Sequence, residues 1–444
     1  MKLSVYVDGR EVATLEDLNR FSSRLSYHPG ADPDDFVSLT MPVRHAPWDW
    51  DAPLHPIFQM NLPEGYLLRV LQEQFGPHIG GSPINLLSVV GRNMVGRVQV
   101  APPGAALDQP AKPVDVAQLL QGDNSAEAFA ELVREHASSG VSGVVPKFLD
   151  KEQMPHLDHD KKGTLFTRRH IIKGSSPQLP FISLNEHLTM QVAAKMLPTA
   201  TTTISQDGQA LVVDRFDLDE QGQPRWGMED FCALLGLAPE NKYETTWERI
   251  ARAVRDHMLP DQRPAALKHV AMTILLTYAL RNADCHAKNV ALLYTSRRDI
   301  RLAPVYDMLT TAAYPAYAKN PPGISLGGRK TWVPGKTLQQ SIVSTFGVPL
   351  RDQVQWVEEI GEAITDVAPA VRQAIAEHPG FREIGKRMLQ AWAQGLGQLR
   401  DKRTYNLGAL DLGEPFQGLS DPEVVKIERK VIGRSKLADE DPML

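Results

Sequence analysis

The stretch RNADCHAKNVALLY, residues 281–294, decides the fold of this chain because it sets reactive side chains beside apolar segments. The apolar run TILLTYAL precedes it, and its own end, VALLY, is apolar again. Between these runs lie an acid (Asp284), a thiol (Cys285), an imidazole (His286), an amine (Lys288) and an amide (Asn289). A short polar loop held by rigid apolar elements is typical of a functional site.

The spacing of the oxygen-bearing side chains points to phosphoryl transfer. Asp284 and Asn289 are five positions apart, and the strand-like run IRLAPVYDMLT further on carries Asp307. Phosphoryl transfer needs oxygen ligands that hold Mg²⁺ against the phosphates, and a carboxylate that accepts the proton of the attacking hydroxyl. Because a hard cation prefers oxygen, Asn289 and Asp307 are the predicted metal ligands. Asp284 is the predicted catalytic base.

Two other interpretations of the loop stay open from these residues. Asp284 and Asn289 could instead cap the ends of helices or turns. The neighbouring Cys285 and His286 could belong to a thiol hydrolase, but a nucleophile and its base are rarely sequence neighbours. No second activating acid is evident in the sequence.

The other half of a kinase site is predicted upstream of the loop. Lys173 ends the strand RHIIK, where it would neutralise ATP phosphates, and Glu186 lies one turn into the next helix, where it would hold Lys173. The turn SSGVSGV would cover phosphates with backbone N–H groups, although it lacks GxGxxG spacing. A surface salt bridge is the alternative for the Lys173–Glu186 pair.

The run LVVDRFDLD is interpreted as a strand that passes into a connector between two lobes. Backbone groups near Asp214 and Phe216 would then contact adenine, and Asp217 would contact ribose. A strand end with solvated acids explains the same residues equally well.

The bulk composition describes an ordinary globular protein. With 444 residues, 42% hydrophobic and 23% charged, the chain is expected to form two or three domains. A net charge of −5 gives no whole-chain reason for nucleic-acid binding. Two cysteines cannot form a disulfide framework, and neither a signal peptide nor a membrane-spanning run is evident, which predicts a cytoplasmic protein without membrane contact.

The order of the sequence patterns predicts an α+β fold. Residues 1–105 form an N-terminal β-rich subdomain, and residues 114–225 form an ATP-binding mixed α/β lobe with a Gly-rich loop. Residues 226–418 form a large, all-helical catalytic lobe, and residues 419–444 form a charged C-terminal tail. A cleft between two lobes is a common place for a ligand.

Several motifs, in order along nearly the whole chain, resemble the HipA family of bacterial serine/threonine kinases, the toxins of toxin–antitoxin pairs. They include VSLTMPVRH, NLPEGYLL, VVGRNMVGRVQV, SGVVPKF, HIIK, VDRFD, EDFCALLG, NADCHAKN, LAPVYDM and ISLGGRK. The combination of NADCHAKN with APVYDM is the most specific part. The resemblance implies a bilobal protein-kinase-like fold that uses ATP and Mg²⁺.

The resemblance also implies roles for individual residues. Asp284 would be the catalytic base, and Asn289 and Asp307 would bind Mg²⁺. His286 lies where conventional kinases often have a phosphate-contacting lysine, and Lys288 could supply that charge instead. The full set predicted to hold the nucleotide is Lys173, Asp214, Phe216, Asp217, Ser142, Gly143, Val144, His286 and Lys288.

The Gly-rich turn departs from the family pattern. That pattern runs Ser-x-x-Gly-x-Gln-x-Lys, and its leading serine is self-phosphorylated to switch the kinase off. Here Gly140 replaces the serine and Val145 replaces the glutamine. Ser142, two places after Gly140, is the predicted self-phosphorylation site, with Ser138 and Ser139 as further candidates. A phosphate there would add a charge of about −2 beside the phosphates of ATP and should expel the loop. A turn serine that caps its own backbone is the alternative.

The resemblance implies a serine/threonine kinase toxin that phosphorylates a translation component, such as an aminoacyl-tRNA synthetase, and arrests growth. It also implies a HipB-like helix-turn-helix antitoxin, with operator DNA bound only through that complex. Basic residues in RKTWVPGK and KIERKVIGRSK could contact DNA there, or could be solvated surface charge. A small-molecule kinase, and an inactive kinase fold that acts as a co-repressor, are the alternative functions.

Overall fold

The computed structural model describes residues 1–62, 82–107, 114–138, 144–146 and 163–419. Three sheets and a set of helices follow one another along these residues. Residues 108–113, the turn residues 139–143 and the charged tail from residue 420 onward lie outside the described residues. The predicted boundaries between the subdomains therefore stay predictions.

The N-terminal region is built on a five-stranded sheet in the order β4-β3-β2-β1-β5. A hairpin at Asp8-Gly9, both with positive φ, joins the first two strands as the Asp-Gly pair predicts. Alternate apolar side chains such as Leu3, Val5 and Val100 form a separate core beneath this sheet. Its elements are β1 (Lys2–Val7), β2 (Arg10–Asn19), β3 (Ser22–Tyr27), β4 (Trp48–Trp50), α1 (Pro56–Gln59), α2 (Pro83–Val90) and β5 (Val98–Ala101).

The second sheet is antiparallel throughout and has the strand order β6-β7-β8-β10-β9. One long helix, α5, packs against β8, β9 and β10 of this sheet. The elements of this region are α3 (Val116–Gln121), α4 (Ala126–Ser138), β6 (Val144–Pro146), β7 (Gly163–Phe166), β8 (His170–Gly174), α5 (Ile182–Ala194), β9 (Thr202–Ile204) and β10 (Ala210–Asp214).

The C-terminal region is mostly helical, but it also contains the three-stranded sheet β11-β12-β13. The expectation of an all-helical lobe missed this sheet because β12 is a short apolar run that helical periodicity also accommodates, and β11 has only four residues. Strand β13, in contrast, overlaps the strand-like run that begins at Ile300. The elements are β11 (Gly227–Asp230), α6 (Phe231–Leu234), α7 (Trp247–His257), α8 (Arg263–Leu280), β12 (Ala291–Ser296), β13 (Asp299–Leu302), α9 (Lys336–Phe346), α10 (Leu350–Glu377) and α11 (Arg382–Arg400).

Helix α8 is buried on every side from Val270 to Leu280 and lies in the main core, where α7, α9, α10 and α11 contact it. It ends at Arg281, a left-handed residue that turns the chain out of the helix at φ 56°. The loop that follows returns directly into β12, so two rigid core elements hold both of its ends. Within the described ranges, no helix has the length and apolarity needed to cross a membrane.

Candidate active site

A lysine bridge joins the second sheet to the C-terminal region. The Nζ atom of Lys173, on β8, donates to Glu186 Oε1 at 2.6 Å and to Asp307 Oδ1 at 2.8 Å. Glu186 projects from α5, and the Ser183 hydroxyl fixes the start of that helix by donating to the Lys173 carbonyl oxygen at 3.1 Å. The structure therefore brings together the predicted lysine, its glutamate and the predicted metal aspartate.

The two carboxylates that contact Lys173 differ in their exposure to solvent. The Glu186 side chain is 1% exposed, whereas that of Asp307 is 26% exposed. Glu186 therefore acts as a fixed internal partner for Lys173. Asp307 keeps part of its carboxylate accessible to a ligand from solvent.

Asp307 is held against the loop that contains Asp284 by both of its chain neighbours. The Tyr306 hydroxyl donates to the Lys288 carbonyl oxygen at 2.7 Å, and the Asn282 amide donates to Met308 Sδ at 3.3 Å. Asp307 itself has a φ of 58°, a left-handed conformation that is costly for a residue with a side chain. Strained backbone of this kind is concentrated at functional sites.

The loop is also braced internally. The Asn289 side-chain amide donates to the Asp284 carbonyl oxygen at 2.9 Å, and the Asp284 amide donates to Asn282 Oδ1 at 3.0 Å. Because Asn289 uses its N–H group in this bond, its Oδ1 atom is the group that can ligate a cation. Asp284 and Asn289 are buried, as expected for groups that must hold a fixed geometry.

Tyr243 was missed by the sequence analysis. Its hydroxyl donates to Asp284 Oδ1 although the two residues are 41 positions apart. The His286 ring meets the Tyr243 ring edge-on, with centroids 4.9 Å apart, and His286 Nε2 lies 3.8 Å from Asp284 Oδ1. No spacing rule links these residues, so no local signal in the sequence would have found Tyr243. Phosphate contacts by His286 and Lys288 stay predictions.

Cys285 is unsuited to nucleophilic chemistry. Complete burial raises the pKa of its thiol to about 12, so the thiolate that would attack a substrate does not form near neutral pH. Burial therefore argues against the interpretation of the loop as part of a thiol hydrolase. Cys232, the other cysteine, is also buried.

The connector residues have separate environments. Asp214, at the end of β10, is exposed and lies 3.7 Å from the His170 ring. The Phe216 ring packs against the Tyr306 ring at 5.6 Å. The Asp217 carboxylate is buried and already accepts from Arg215 and from a backbone N–H of the N-terminal region, so a ribose contact would compete with these bonds. Adenine and ribose binding by these residues stay predictions.

The side-chain oxygen atoms of Asn289 and Asp307 suit a hard cation that is also bound by the phosphates of a nucleotide. Asp307 and Asn289 offer one carboxylate and one amide oxygen, and Mg²⁺ prefers such oxygens. Among the described residues, no group of three or more His, Cys, Asp and Glu side chains is placed to hold a metal ion. A Mg²⁺ ion here would take its other ligands from phosphates and water, as is usual for this ion.

The predicted Gly-rich turn is the part of the site that the structure describes least. Ser139, Ser142 and Gly143 lie outside the described residues, and Ser138 is the last residue of α4. Val144 opens β6 and pairs with Leu165 of β7, next to the strand that carries Lys173. The predicted roles of these residues in phosphate binding and self-phosphorylation stay predictions.

Comparison with known proteins agrees with this architecture. The family model described as HipA-like C-terminal domain matches residues 139–375, and the model described as HipA N-terminal domain matches residues 3–101. A chain of the Shewanella oneidensis complex of HipA, HipB and operator DNA superposes with a TM-score of 0.68 at 18% identity, over 91% of this chain and 98% of that chain.

Two proteins of Sinorhizobium fredii are similar in sequence. "Putative kinase Y4dM" is 27% identical over 69% of this chain and 73% of its own length. "Putative kinase Y4mE" is 28% identical over 70% of this chain and 78% of its own length. A Haemophilus influenzae protein named "Putative kinase" is 26% identical over 39% of this chain and 53% of its own length.

The fold class is thereby confirmed as a kinase-like α+β fold with an N-terminal β-rich subdomain and a large C-terminal region dominated by helices. The HipA-like C-terminal model alone covers more than half of the chain. The chain belongs to the HipA family.

Proposed function

We propose that this chain is an ATP- and Mg²⁺-dependent protein serine/threonine kinase. The Lys173 ammonium group, which bridges Glu186 and Asp307, is the observation that carries the proposal. Protein kinases need this lysine–glutamate pair and a nearby metal-binding aspartate to hold ATP phosphates. The similarity to three proteins named as putative kinases also supports the proposal.

Each residue of the site would have a separate role in the reaction. Lys173 would neutralise charge on the nucleotide phosphates, while Asn289 and Asp307 would hold Mg²⁺, which supplies further charge neutralisation when bound. Asp284 would accept the proton of the attacking hydroxyl. Tight bracing of the loop matters because phosphoryl transfer depends mainly on positioning and electrostatics rather than on covalent catalysis by the protein.

Single-turnover transfer of the γ-phosphoryl group from labelled ATP to the chain itself or to water, with the full chain and Mg²⁺ present, tests this proposal. Asp284→Asn should lower the rate by a factor of about 10² to 10⁴, because it removes the general base. Asp366→Asn, an exposed aspartate on α10, is the control and should leave the rate unchanged. Equal rates for wild type and Asp284→Asn would exclude the kinase and leave a binding function.

We further propose that the kinase is the toxin of a HipBA-like pair that phosphorylates a translation component, such as an aminoacyl-tRNA synthetase, in the cytoplasm. The structural match to a chain from a HipA–HipB–operator complex supports an antitoxin partner. Co-purification with a helix-turn-helix protein encoded beside it tests the pairing, and operator binding should require both proteins. Phosphoproteomics after brief expression, with Asp307→Asn as control, would identify the substrate.

Self-phosphorylation at Ser142 belongs to the same proposal. Incubation with Mg·ATP, followed by intact-mass measurement and peptide mapping, should locate the phosphate on Ser142 rather than on Ser138 or Ser139. An active enzyme whose Ser142 stays unmodified would contradict this assignment.

A further inference from the structure

Tyr243 is fastened to the loop of the catalytic base in three ways. Its hydroxyl donates to Asp284 Oδ1, its ring and the His286 ring pack in a T-shaped arrangement, and the Ala287 amide donates to the carbonyl oxygen of the preceding residue, Lys242, at 3.1 Å. One bond fixes the side chain of the base, and another fixes the backbone that follows it. A tyrosine present only to fill space would not need this arrangement.

Hydrogen bonds from other segments hold the backbone around Tyr243. Lys330 Nζ donates to the Tyr243 carbonyl oxygen at 3.1 Å, and the Trp247 amide donates to the Ser325 carbonyl oxygen at 3.1 Å. Tyr243 and Trp247 are both almost fully buried. The tyrosine hydroxyl is therefore presented to the loop by a backbone that is held in place.

We propose that Tyr243 is a positioning residue that fixes the orientation of the Asp284 carboxylate. This inference rests on the proposed kinase function. A bond from the hydroxyl to one carboxylate oxygen restricts rotation about the Cβ–Cγ bond, and a bond to an ionised acceptor is stronger than one between neutral groups. A base that can rotate spends less time within reach of the substrate hydroxyl, and misplacement by about 1 Å can cost roughly a hundredfold in rate.

A double-mutant cycle tests this role. The phosphoryl transfer rate and the KM for ATP are measured for wild type, Tyr243→Phe, Asp284→Asn and the double variant. Tyr243→Phe should lower kcat by about tenfold to a hundredfold, with KM for ATP unchanged, because only the orientation of the base is lost. In the Asp284→Asn background the same change should lower kcat no further, because Tyr243 acts through that carboxylate.

Tyr405→Phe is the matched control for the loss of a buried hydroxyl. The Tyr405 hydroxyl donates to Gln353 Oε1 at 2.7 Å, between the segment after α11 and helix α10. Both phenylalanine variants should lose similar stability, whereas only Tyr243→Phe should lose kcat. Equal losses of kcat in both Asp284 backgrounds, or a wild-type kcat for Tyr243→Phe, would overturn the positioning role. A wild type no faster than Asp284→Asn would instead remove the kinase function and the positioning role with it.

Discussion

Two buried carboxylates fasten the N-terminal region to the rest of the chain, and they do so with different partners. Asp217, in the connector, accepts from the Gly96 amide at 2.7 Å and from the Arg215 guanidinium at 2.5 Å. Glu229, on β11, accepts from the Ser38 hydroxyl at 2.5 Å and from the Leu39 amide at 2.9 Å. One anchor therefore includes a cation, whereas the hydrogen-bond donors of the other are neutral.

The lack of a cationic partner has a consequence for Glu229. Burial raises the pKa of Glu229 to about 7, because two neutral donors do not offset the loss of water around the charge. Nearby Asp230 raises the pKa of Glu229 further. The stability that depends on Glu229 should therefore change with pH near neutrality. The stability that depends on Asp217 should fall when the charge of Asp217 is removed.

The largest effect is expected from Asp217→Asn. Removing one partner of a buried ion pair leaves Arg215 charged and buried, which should cost about 3 to 5 kcal/mol of unfolding free energy. Denaturant unfolding measures this loss. Asp366→Asn breaks the exposed ion pair with Lys195 and, as control, should cost less than about 1 kcal/mol.

The same preparation separates the two roles considered for Asp217. A rise in the KM for ATP, beyond that of the Asp366→Asn control, would identify a ribose contact. An unchanged KM beside a large loss of stability would assign Asp217 to the anchor alone. A small loss of stability would show that the Arg215–Asp217 pair does not fasten the two regions.

Glu229→Gln should have a pH-dependent effect on stability. The pKa of Glu229 rises on folding from its ordinary 4.5 to about 7, so the folded state binds more protons between these values. This contribution to stability is present below the lower value and is lost as pH rises through the higher one. Glutamine stays neutral, so its stability relative to wild type should rise by about 2.5 kcal/mol between pH 5 and pH 8.

Chemical unfolding of both proteins over this pH range tests the sign of the effect. Glu220→Gln, at an exposed position beyond β10, serves as control and should show a constant difference from wild type. A Glu229→Gln difference that stayed flat, or that fell with rising pH, would mean that Glu229 is ionised throughout and has a compensating charge.

Lys173→Met extends the comparison to the ion pair that we propose binds the nucleotide. The change should lower kcat/KM for ATP by about a hundredfold, which corresponds to roughly 2.7 kcal/mol, because Asp307 and the phosphates lose the same ammonium group. Steady-state kinetics measure this effect. Lys195→Met, which removes an exposed lysine paired with Asp366, should leave kcat/KM unchanged. An unaffected kcat/KM for Lys173→Met would separate the lysine bridge from nucleotide binding.

Features that depend on local chemistry were predictable from the sequence. The Asp8-Gly9 hairpin follows from its turn residues, and the contact between Lys173 and Glu186 follows from a strand that leads into a helix. The neighbourhood of Asp284 and Asn289 follows from their spacing in one loop.

Features set by packing between distant segments were not predictable in the same way. Tyr243 reaches Asp284 from another segment, and Asp217 is engaged by Gly96 from the N-terminal region. The β11-β12-β13 sheet likewise forms only when Gly227–Asp230 meets the strand after the loop. Hydrophobic periodicity carries no information about which distant polar groups a fold will bring together.

The smallest effect is expected from Cys285→Ala, which removes a buried ionisable group that has no catalytic task. Burial raises the pKa of this thiol to about 12, so the protonated form persists at neutral pH although Asp284 and His286 flank it in sequence. The phosphoryl transfer rate should stay within about twofold of wild type, or roughly 0.4 kcal/mol. Cys232→Ala, at the other buried cysteine, is the matched control. Rapid alkylation of Cys285 in the folded protein, or a loss of phosphoryl transfer confined to Cys285→Ala, would show that Cys285 forms a reactive thiolate despite its burial. Burial alone would then not determine the protonation state of groups in this loop.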